Sequence, residues 1–377
     1  MSTVGVIGAS GTVGAGVTRA LARAGICLRL GTRVPRRVHG LADEASRRGA
    51  PVVETQAVDL DDQGSLMLFL DGLDAVVSCA APTSRWSHRT ARSALAVGVP
   101  LFDPAGGDLL YGLGKHDDLH GCRSAVVVDA GMQPGLTGVM LRALLVRAPS
   151  VPSSVGLWHG GLGSLSDGSA RDLLLTGTSS VRPHSRRRAH RVVPFSDGTR
   201  QMPPGVPPKA RVTPVLSDEI NRICSAHGVP DAVEYQVIEG EHVAEVASYY
   251  AASPVLPGDK DRLNEAVHRL QDAALVDCTC RSPSYTLHAW AGNDELVVST
   301  NTPFVLTAEV TALATLAIVE GRVDADLQPL DEIVNPAWVL SRLGALLGVT
   351  ITGIGRHETT EDLADETGSD MEVGEIL

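Results

Sequence analysis

Three glycines separated by two residues each, Gly8-Ala-Ser-Gly11-Thr-Val-Gly14, come directly after the β-branched apolar run from Thr3 to Ile7. Few backbones accept that order. A strand must end in a turn tight enough to need Gly8, the peptide must be left bare at Gly11, and a helix must start so close to the strand that only Gly14 fits. Val17, Ala20, Leu21 and Ala24 then recur at helical spacing, and Gly25 stands where a left-handed C-cap ends a helix. The unpaired N–H groups and the positive dipole end at such a helix start favour a diphosphate, held by Gly8, Ser10, Gly11, Thr12, Val13 and Gly14.

The pattern repeats. Ile26 to Leu30 ends at Gly31-Thr32-Arg33, Val52-Val53 precedes Asp59-Leu60-Asp61, and Asp74-Ala-Val-Val-Ser78 stops at Cys79-Ala80-Ala81-Pro82 before a helical stretch from Ser87 to Val97. Strands alternating with helices predict an α/β fold with a parallel, doubly wound Rossmann sheet. At the end of the second strand, NAD-binding domains place an acid on the ribose 2′-hydroxyl. Here the position reads Thr32-Arg33, and a guanidinium there pairs with a 2′-phosphate, so NADP is the expected cofactor. Arg36 and Arg37 either add to this or form a solvated surface pair. Asp59 and Leu60 are expected beside the adenine, and Ala80, Ala81 and Pro82 against the nicotinamide ribose, where small side chains leave the ring a path into the cleft.

A length of 377 residues favours two domains. The formal charge of −12 speaks against nucleic acid or an anionic membrane as partner, and aromatics at 3% leave no base-stacking surface. Eight of the twelve excess charges fall between Glu358 and Glu375, a stretch without Lys or Arg that has the composition of disordered chain. The six cysteines form no CxxC pair, and no apolar run approaches the ~20 residues of a membrane span, so a cytoplasmic protein with a small-molecule substrate is expected.

These stretches, with Ala96-Val-Gly98-Val, Phe102-Asp103 and above all Val128-Asp-Ala-Gly131-Met-Gln-Pro134-Gly135-Leu, resemble the saccharopine dehydrogenase family in its broad sense, the saccharopine reductase-like proteins. The resemblance covers residues 1 to about 140, with weaker matches from Val155 to Asp172 and from Thr307 to Pro336. It implies an NADP-binding Rossmann domain over 1–140, a second α+β substrate domain over 141–302 that often carries a homodimer contact, helices over 303–355 returning to the first domain, and the acidic tail 356–377. It also implies reversible hydride transfer between a pyridine nucleotide and an imine, joining or cleaving a secondary amine.

Beyond the first domain, Val155 to Trp158 reads as a strand followed by a flexible glycine turn, His159-Gly160-Gly161-Leu-Gly163, and a helix capped by Ser166 or Asp167. From Arg182 to Arg211 the abundance of Arg, Pro and Gly predicts neither helix nor strand: a solvated loop, or a lid whose cations meet an anionic substrate. Strands are expected over Val233 to Gly240, Val243 to Ser248, Tyr285 to Trp290 and Leu296 to Ser299, and a buried helix from Thr307 to Val319 covers the Rossmann domain.

Imine reduction takes one proton donor. His159 ranks first as a group titrating near neutral pH, with Asp103 and Tyr111 next and Gln133 and His242 also in plausible loops; each has a purely structural alternative. Tyr111-Gly-Leu-Gly-Lys115 also fits the Tyr-x-x-x-Lys string of short-chain dehydrogenases, although two glycines weaken the helix it needs. That class, a C=C reductase and a non-catalytic NADP sensor stand as rival readings.

Overall fold

The computed structural model describes residues 2–107, 124–175, 181–195, 202–256, 258–279, 281–319, 321 and 327–353. Tyr111, Lys115 and the acidic tail lie outside them.

Seven strands form a wholly parallel sheet: β1 Thr3–Ile7, β2 Cys27–Thr32, β3 Val53–Ala57, β4 Ala75–Ser78, β5 Leu101–Phe102, β6 Val126–Val128 and, from far along the chain, β15 Leu327–Pro329. Their order is β15-β6-β5-β4-β1-β2-β3. The central strands are apolar on both faces because helices cover both. Val4, Val6, Val76 and Val77 are fully buried, and the Thr12–Arg23, Gln63–Leu70 and Thr83–Val97 helices follow their strands. The order reverses between β1 and β4, which opens a crevice at the carboxyl rim of the sheet.

The Leu136–Arg147 helix leads from this sheet to a second, mixed one ordered β10-β9-β12-β7-β13-β14-β16. Its strands are β7 Ser154–Leu162, β9 Ser185–Arg188, β10 Arg191–Pro194, β12 Asp231–Ile238, β13 Ser284–Ala291, β14 Asp294–Thr300 and β16 Val349–Gly353, with β8 Val181–Pro183 and β11 Arg211–Ser217 joined at the side. Only β7 and β12 run parallel among the described pairs of this sheet. The Pro303–Val319 helix returns to the first layer: a Cβ on Gly16 would lie 2.6 Å from the Ala308 methyl, and Thr311 donates 2.8 Å to the Ala130 carbonyl.

Three expectations are corrected here. The His159-Gly160-Gly161 stretch is strand, not a flexible turn. A Cβ on Gly160 would meet the Val237 carbonyl oxygen at 1.8 Å and one on Gly161 the Ser284 carbonyl oxygen at 2.0 Å, so these glycines let three strands pack closely. The Arg-rich segment forms β8 to β10, because Arg187 buries its charge against the Val229 carbonyl, Asn221 and Ser225 at 2.9, 2.8 and 3.0 Å, while Arg182 pairs with Asp218 at 2.5 Å. These two cations are engaged within the fold and do not await an anion. Val243 to Ser248 lies within the Glu241–Ala252 helix, whose first turn is fixed by the Asp277 carboxylate accepting from the amides of His242 and Val243 at 3.2 and 2.9 Å. Six alternating residues cannot outvote such a cap.

Candidate functional site

The glycine turn has the shape its spacing predicts. Gly8 has a φ of +76° and packs so closely on β4 that a Cβ would stand 2.8 Å from the Cys79 carbonyl oxygen. Gly14 is tighter still, with 2.3 Å to the Gly8 carbonyl oxygen. At Gly11 a Cβ would find only that same oxygen, at 3.3 Å, so this glycine faces open space. Gly11 is also the helix N-cap, without a side-chain cap or a first-turn acid, and Ser10, Gly11 and Thr12 are exposed with Val13 half-buried. The first amides of the helix thus lack intrahelical acceptors and point toward the rim.

At the end of β2, the Thr32 hydroxyl lies 3.3 Å from that of Ser10, tying the strand end to the turn. Arg33, Arg36 and Arg37 are exposed, and no ion pair engages any of them among the described residues. Asp59 is exposed and accepts from the Asp61 amide at 3.0 Å, while Leu60 is buried beneath it. Three free guanidinium groups beside an uncapped helix start suit a nucleotide carrying an extra phosphate.

Further along the rim, Ala80, Ala81 and Pro82 follow β4, and the Asp167–Leu175 helix of the second layer closes over them: a Cβ on Gly168 would lie 2.9 Å from the Ala81 methyl. Asp172 of that helix accepts from the Thr83 amide at 3.3 Å. Asp103, after β5, is 1% exposed and accepts from Ser87 at 2.5 Å and from the Ala105 amide at 3.0 Å. Burial pushes its carboxyl up to about 6, with the two hydrogen bonds opposing. Asp103 therefore caps a turn while sitting next to the crevice.

Between β6 and the second sheet lies a pocket lined by Gly107, Asp129, Gln133, Pro134, Val181, Ser217, Asp218, Glu219 and Glu234. Asp129 immediately follows β6, is 3% exposed, and leaves its Oδ1 without a hydrogen-bond partner among the described residues. Burial, and then the neighbouring Glu219 carboxylate, raise its carboxyl well above the ordinary range. Glu219 is itself satisfied, accepting from the Gly135 and Gly138 amides at 2.8 and 3.0 Å and from Thr137 at 2.6 Å, yet burial pushes it up to about 7. His159 is 2% exposed and stands behind Gln133, whose Nε2 is 3.0 Å from its Nε2; the Tyr285 hydroxyl donates to Gln133 Oε1 at 2.8 Å, and Glu234 Oε1 is 3.4 Å from the same imidazole nitrogen.

The structure thus brings Gln133 to the pocket lining and puts His159 and Asp103 in the layer behind the open surface. His242 stands elsewhere, exposed and 2.7 Å from Asp277, which holds its imidazole protonated to higher pH. Asp129, Glu219, Glu234 and Tyr285 were not singled out from the sequence. Only Asp129 carried a signal, as the acid directly after the Val126–Val128 run, where Asp103 stands after β5. Among the described residues no cluster of His, Cys, Asp and Glu could hold a metal ion, and no helix is long and apolar enough to cross a membrane.

The family model for the saccharopine dehydrogenase NADP binding domain matches residues 4–118. A sequence search of curated proteins returns no match. Among solved structures, apo saccharopine dehydrogenase (L-Glu forming) from Saccharomyces cerevisiae matches 94% of this chain and 100% of its own, with a TM-score of 0.58 and 13% identity, which shows a shared fold. Short-chain dehydrogenases from Mycobacterium ulcerans and from Sphingobium yanoikuyae, the latter in complex with NADPH, match 27% of this chain at 19% and 20% identity. They cover 50% and 53% of those chains, with TM-scores of 0.24 and 0.23.

Proposed function

We propose that this protein is an NADP(H)-dependent oxidoreductase acting on an imine or secondary amine of a small amino-acid-like metabolite; the match of residues 4–118 to the NADP binding domain model of the saccharopine dehydrogenase family and the fold shared with a saccharopine dehydrogenase support this reading. The observation that carries this reading is the glycine turn: a bare Gly11 at an uncapped helix start, beside an Arg33 that no carboxylate engages among the described residues. Bound there, the cofactor supplies a hydride. The chain's own part is to hold the diphosphate on the amides after Gly11, to grip the 2′-phosphate with Arg33 and Thr32, and to keep the rim at Ala80, Ala81 and Pro82 narrow enough for a flat ring.

The pocket follows β5 and β6, three strand positions along the same rim from the glycine turn and so roughly 14 Å away at ~4.8 Å per strand, a distance a dinucleotide can span. The same reading divides the chain into a nucleotide domain over 1–140, a substrate domain over 141–302 and a returning segment over 303–355, and extends to a homodimer that light scattering would test.

NADPH fluorescence tests the cofactor, and NADPH consumption with amine and carbonyl pairs tests the reaction. Saturable NADPH binding, tighter than NADH, with consumption that requires both an amine and a carbonyl compound, is expected. Binding without turnover on any such pair points instead to a nucleotide sensor, and no binding at all sinks the reading.

A further inference from the structure

The pocket behind β6 presents acids to its interior and, among the described lining residues, no Lys or Arg. Each acid has a different status. Glu219 is used up by three donors at the start of the Leu136–Arg147 helix. Asp218 is paired with Arg182 at 2.5 Å, and Glu234 accepts from the Ser217 amide at 2.6 Å. Among the described lining residues Asp129 alone is more than nine-tenths buried and has an oxygen with no described partner.

Its placement is closely determined. The Asp129 amide donates to the Ala105 carbonyl at 2.7 Å, and a Cβ on Gly135 would strike the Asp129 carbonyl oxygen at 2.2 Å, so the Gly131-x-x-Pro134-Gly135 turn wraps its backbone. On the other side Gly107 leaves room for the carboxylate, since a Cβ there would stand 2.7 Å from Oδ1. A buried carboxylate oxygen held at a pocket wall without a donor is costly unless something arrives to pair with it.

We propose that this pocket receives the protonated amine end of the substrate, with Asp129 as the group that meets the nitrogen, so that a small aliphatic amine is recognised here and a carboxylate is not. The proposal rests on reading the crevice as the substrate site of a pyridine-nucleotide enzyme. A metal ion is the poorer occupant, because the described acids do not converge as a ligand set. The carboxylate end of an amino-acid-like substrate is a poorer occupant still, since it would enter among Asp129, Asp218, Glu219 and Glu234 with no free cation on the described wall.

Binding should also release a proton. The groups acting on Asp129 are Glu219, Asp331 and Asp103, which favour its neutral form, and Arg222, which opposes them but is committed to Asp331 and to Glu332. Burial adds to the same side, so Asp129 holds a proton more readily than an ordinary carboxyl and an arriving ammonium favours its release.

The test uses the full chain saturated with NADP⁺ and calorimetry at pH 7 with four-carbon probes: butane-1,4-diamine, butane-1,4-diol and butanedioate. The diamine is expected to bind roughly 10- to 100-fold tighter than the other two, the span of one charge-assisted hydrogen bond. Its apparent enthalpy should shift between two buffers of different ionisation enthalpy, reporting proton release. In Asp129→Asn both the preference and the proton release should vanish. Butanedioate binding as tightly as the diamine, or an Asp129→Asn protein of native stability that keeps the preference, overturns the proposal. Should that variant fail to fold, diamine against diol on the unaltered protein still decides. NADPH affinity measured on the same samples separates the two levels: its loss refutes the oxidoreductase reading, whereas an absent diamine preference with NADPH intact refutes only the amine pocket.

Discussion

Glu219, on the Asp218–Ala226 helix, accepts a 2.8 Å hydrogen bond from the backbone amide of Gly135, the residue that opens the helix leaving the parallel sheet. One carboxylate from the second layer thereby caps an element of the first, and Gly138 and Thr137 donate to it as well. Glu219→Ala leaves three donors unsatisfied in a buried place and is expected to cost about 3 kcal/mol or more. Urea unfolding measures it; a loss below ~1 kcal/mol would show that solvent reaches these donors.

Gly11→Asp is expected to abolish NADPH binding while leaving the fold intact. The space a side chain would enter at Gly11 is open apart from the Gly8 carbonyl oxygen at 3.3 Å, so the protein accepts it, but the carboxylate then occupies the place of the diphosphate. Gly14→Ala should instead destabilise, since its Cβ would stand 2.3 Å from that oxygen. Fluorescence titration beside a thermal melt tells the two apart, and unchanged NADPH affinity in Gly11→Asp would refute the loop assignment.

Arg33→Ala should weaken NADPH by roughly 10- to 100-fold, the loss of a charge-assisted contact of about 1.5–3 kcal/mol, and leave NADH nearly unchanged. Arg33 is exposed and engaged by no ion pair among the described residues, so its removal costs the fold little. Equal losses for both nucleotides would show that Arg33 does not read the 2′-phosphate.

Asp103 makes stability depend on pH in a direction opposite to that of most carboxylates. Burial holds its carboxyl at about 6 in the folded protein against an ordinary 3.8, so the folded state binds the proton more tightly than the unfolded chain. Its contribution is complete below 3.8 and lost as pH rises through about 6, a decline of about 3 kcal/mol for a shift of that size. Urea unfolding between pH 4 and 8 should show this decline in the native protein and not in Asp103→Asn; parallel curves would rule it out.

The parallel sheet was readable from the chain because its strands β1, β2 and β4 are largely apolar runs closed by a glycine or a proline, and two sheet faces covered by helices demand such runs, whereas the edge strand β3, Val-Glu-Thr-Gln-Ala, carries little of that signal. The second sheet was harder. Gly160-Gly161 has the composition of a flexible turn, and only the carbonyls of Val237 and Ser284, brought alongside by pairing, show that its glycines serve close strand packing. Arg187 looked like a solvated cation until Asn221 and Ser225 arrived beside it. The cofactor cradle was legible for a local reason: Gly8 to Gly14 and Thr32-Arg33 act within one strand-turn-helix-strand unit. The pocket was not, because Asp129 acquires its setting from Glu219, an acid whose partner Gly135 lies 84 positions away in the chain.

Tyr285 and His159 hold the two ends of the Gln133 amide. The Tyr285 hydroxyl donates to Gln133 Oε1 at 2.8 Å, which turns the Gln133 Nε2 toward His159 Nε2 at 3.0 Å. With the amide this way round its Nε2 donates and His159 Nε2 accepts, which places the ring hydrogen on Nδ1, an atom with no hydrogen-bond partner among the described residues. In Tyr285→Phe nothing holds Gln133 in that sense. The amide can turn so that Oε1 accepts from the ring, and Glu234 Oε1, now 3.4 Å from Nε2, also favours a hydrogen there. Nitrogen-15 spectra of the imidazole are therefore expected to show the Nδ1–H form in the native protein and a shift toward Nε2–H in Tyr285→Phe, with an unaltered melt. An Nε2–H signal already present in the native protein would mean that Gln133 stands the other way round and that His159 presents a donor toward the pocket side.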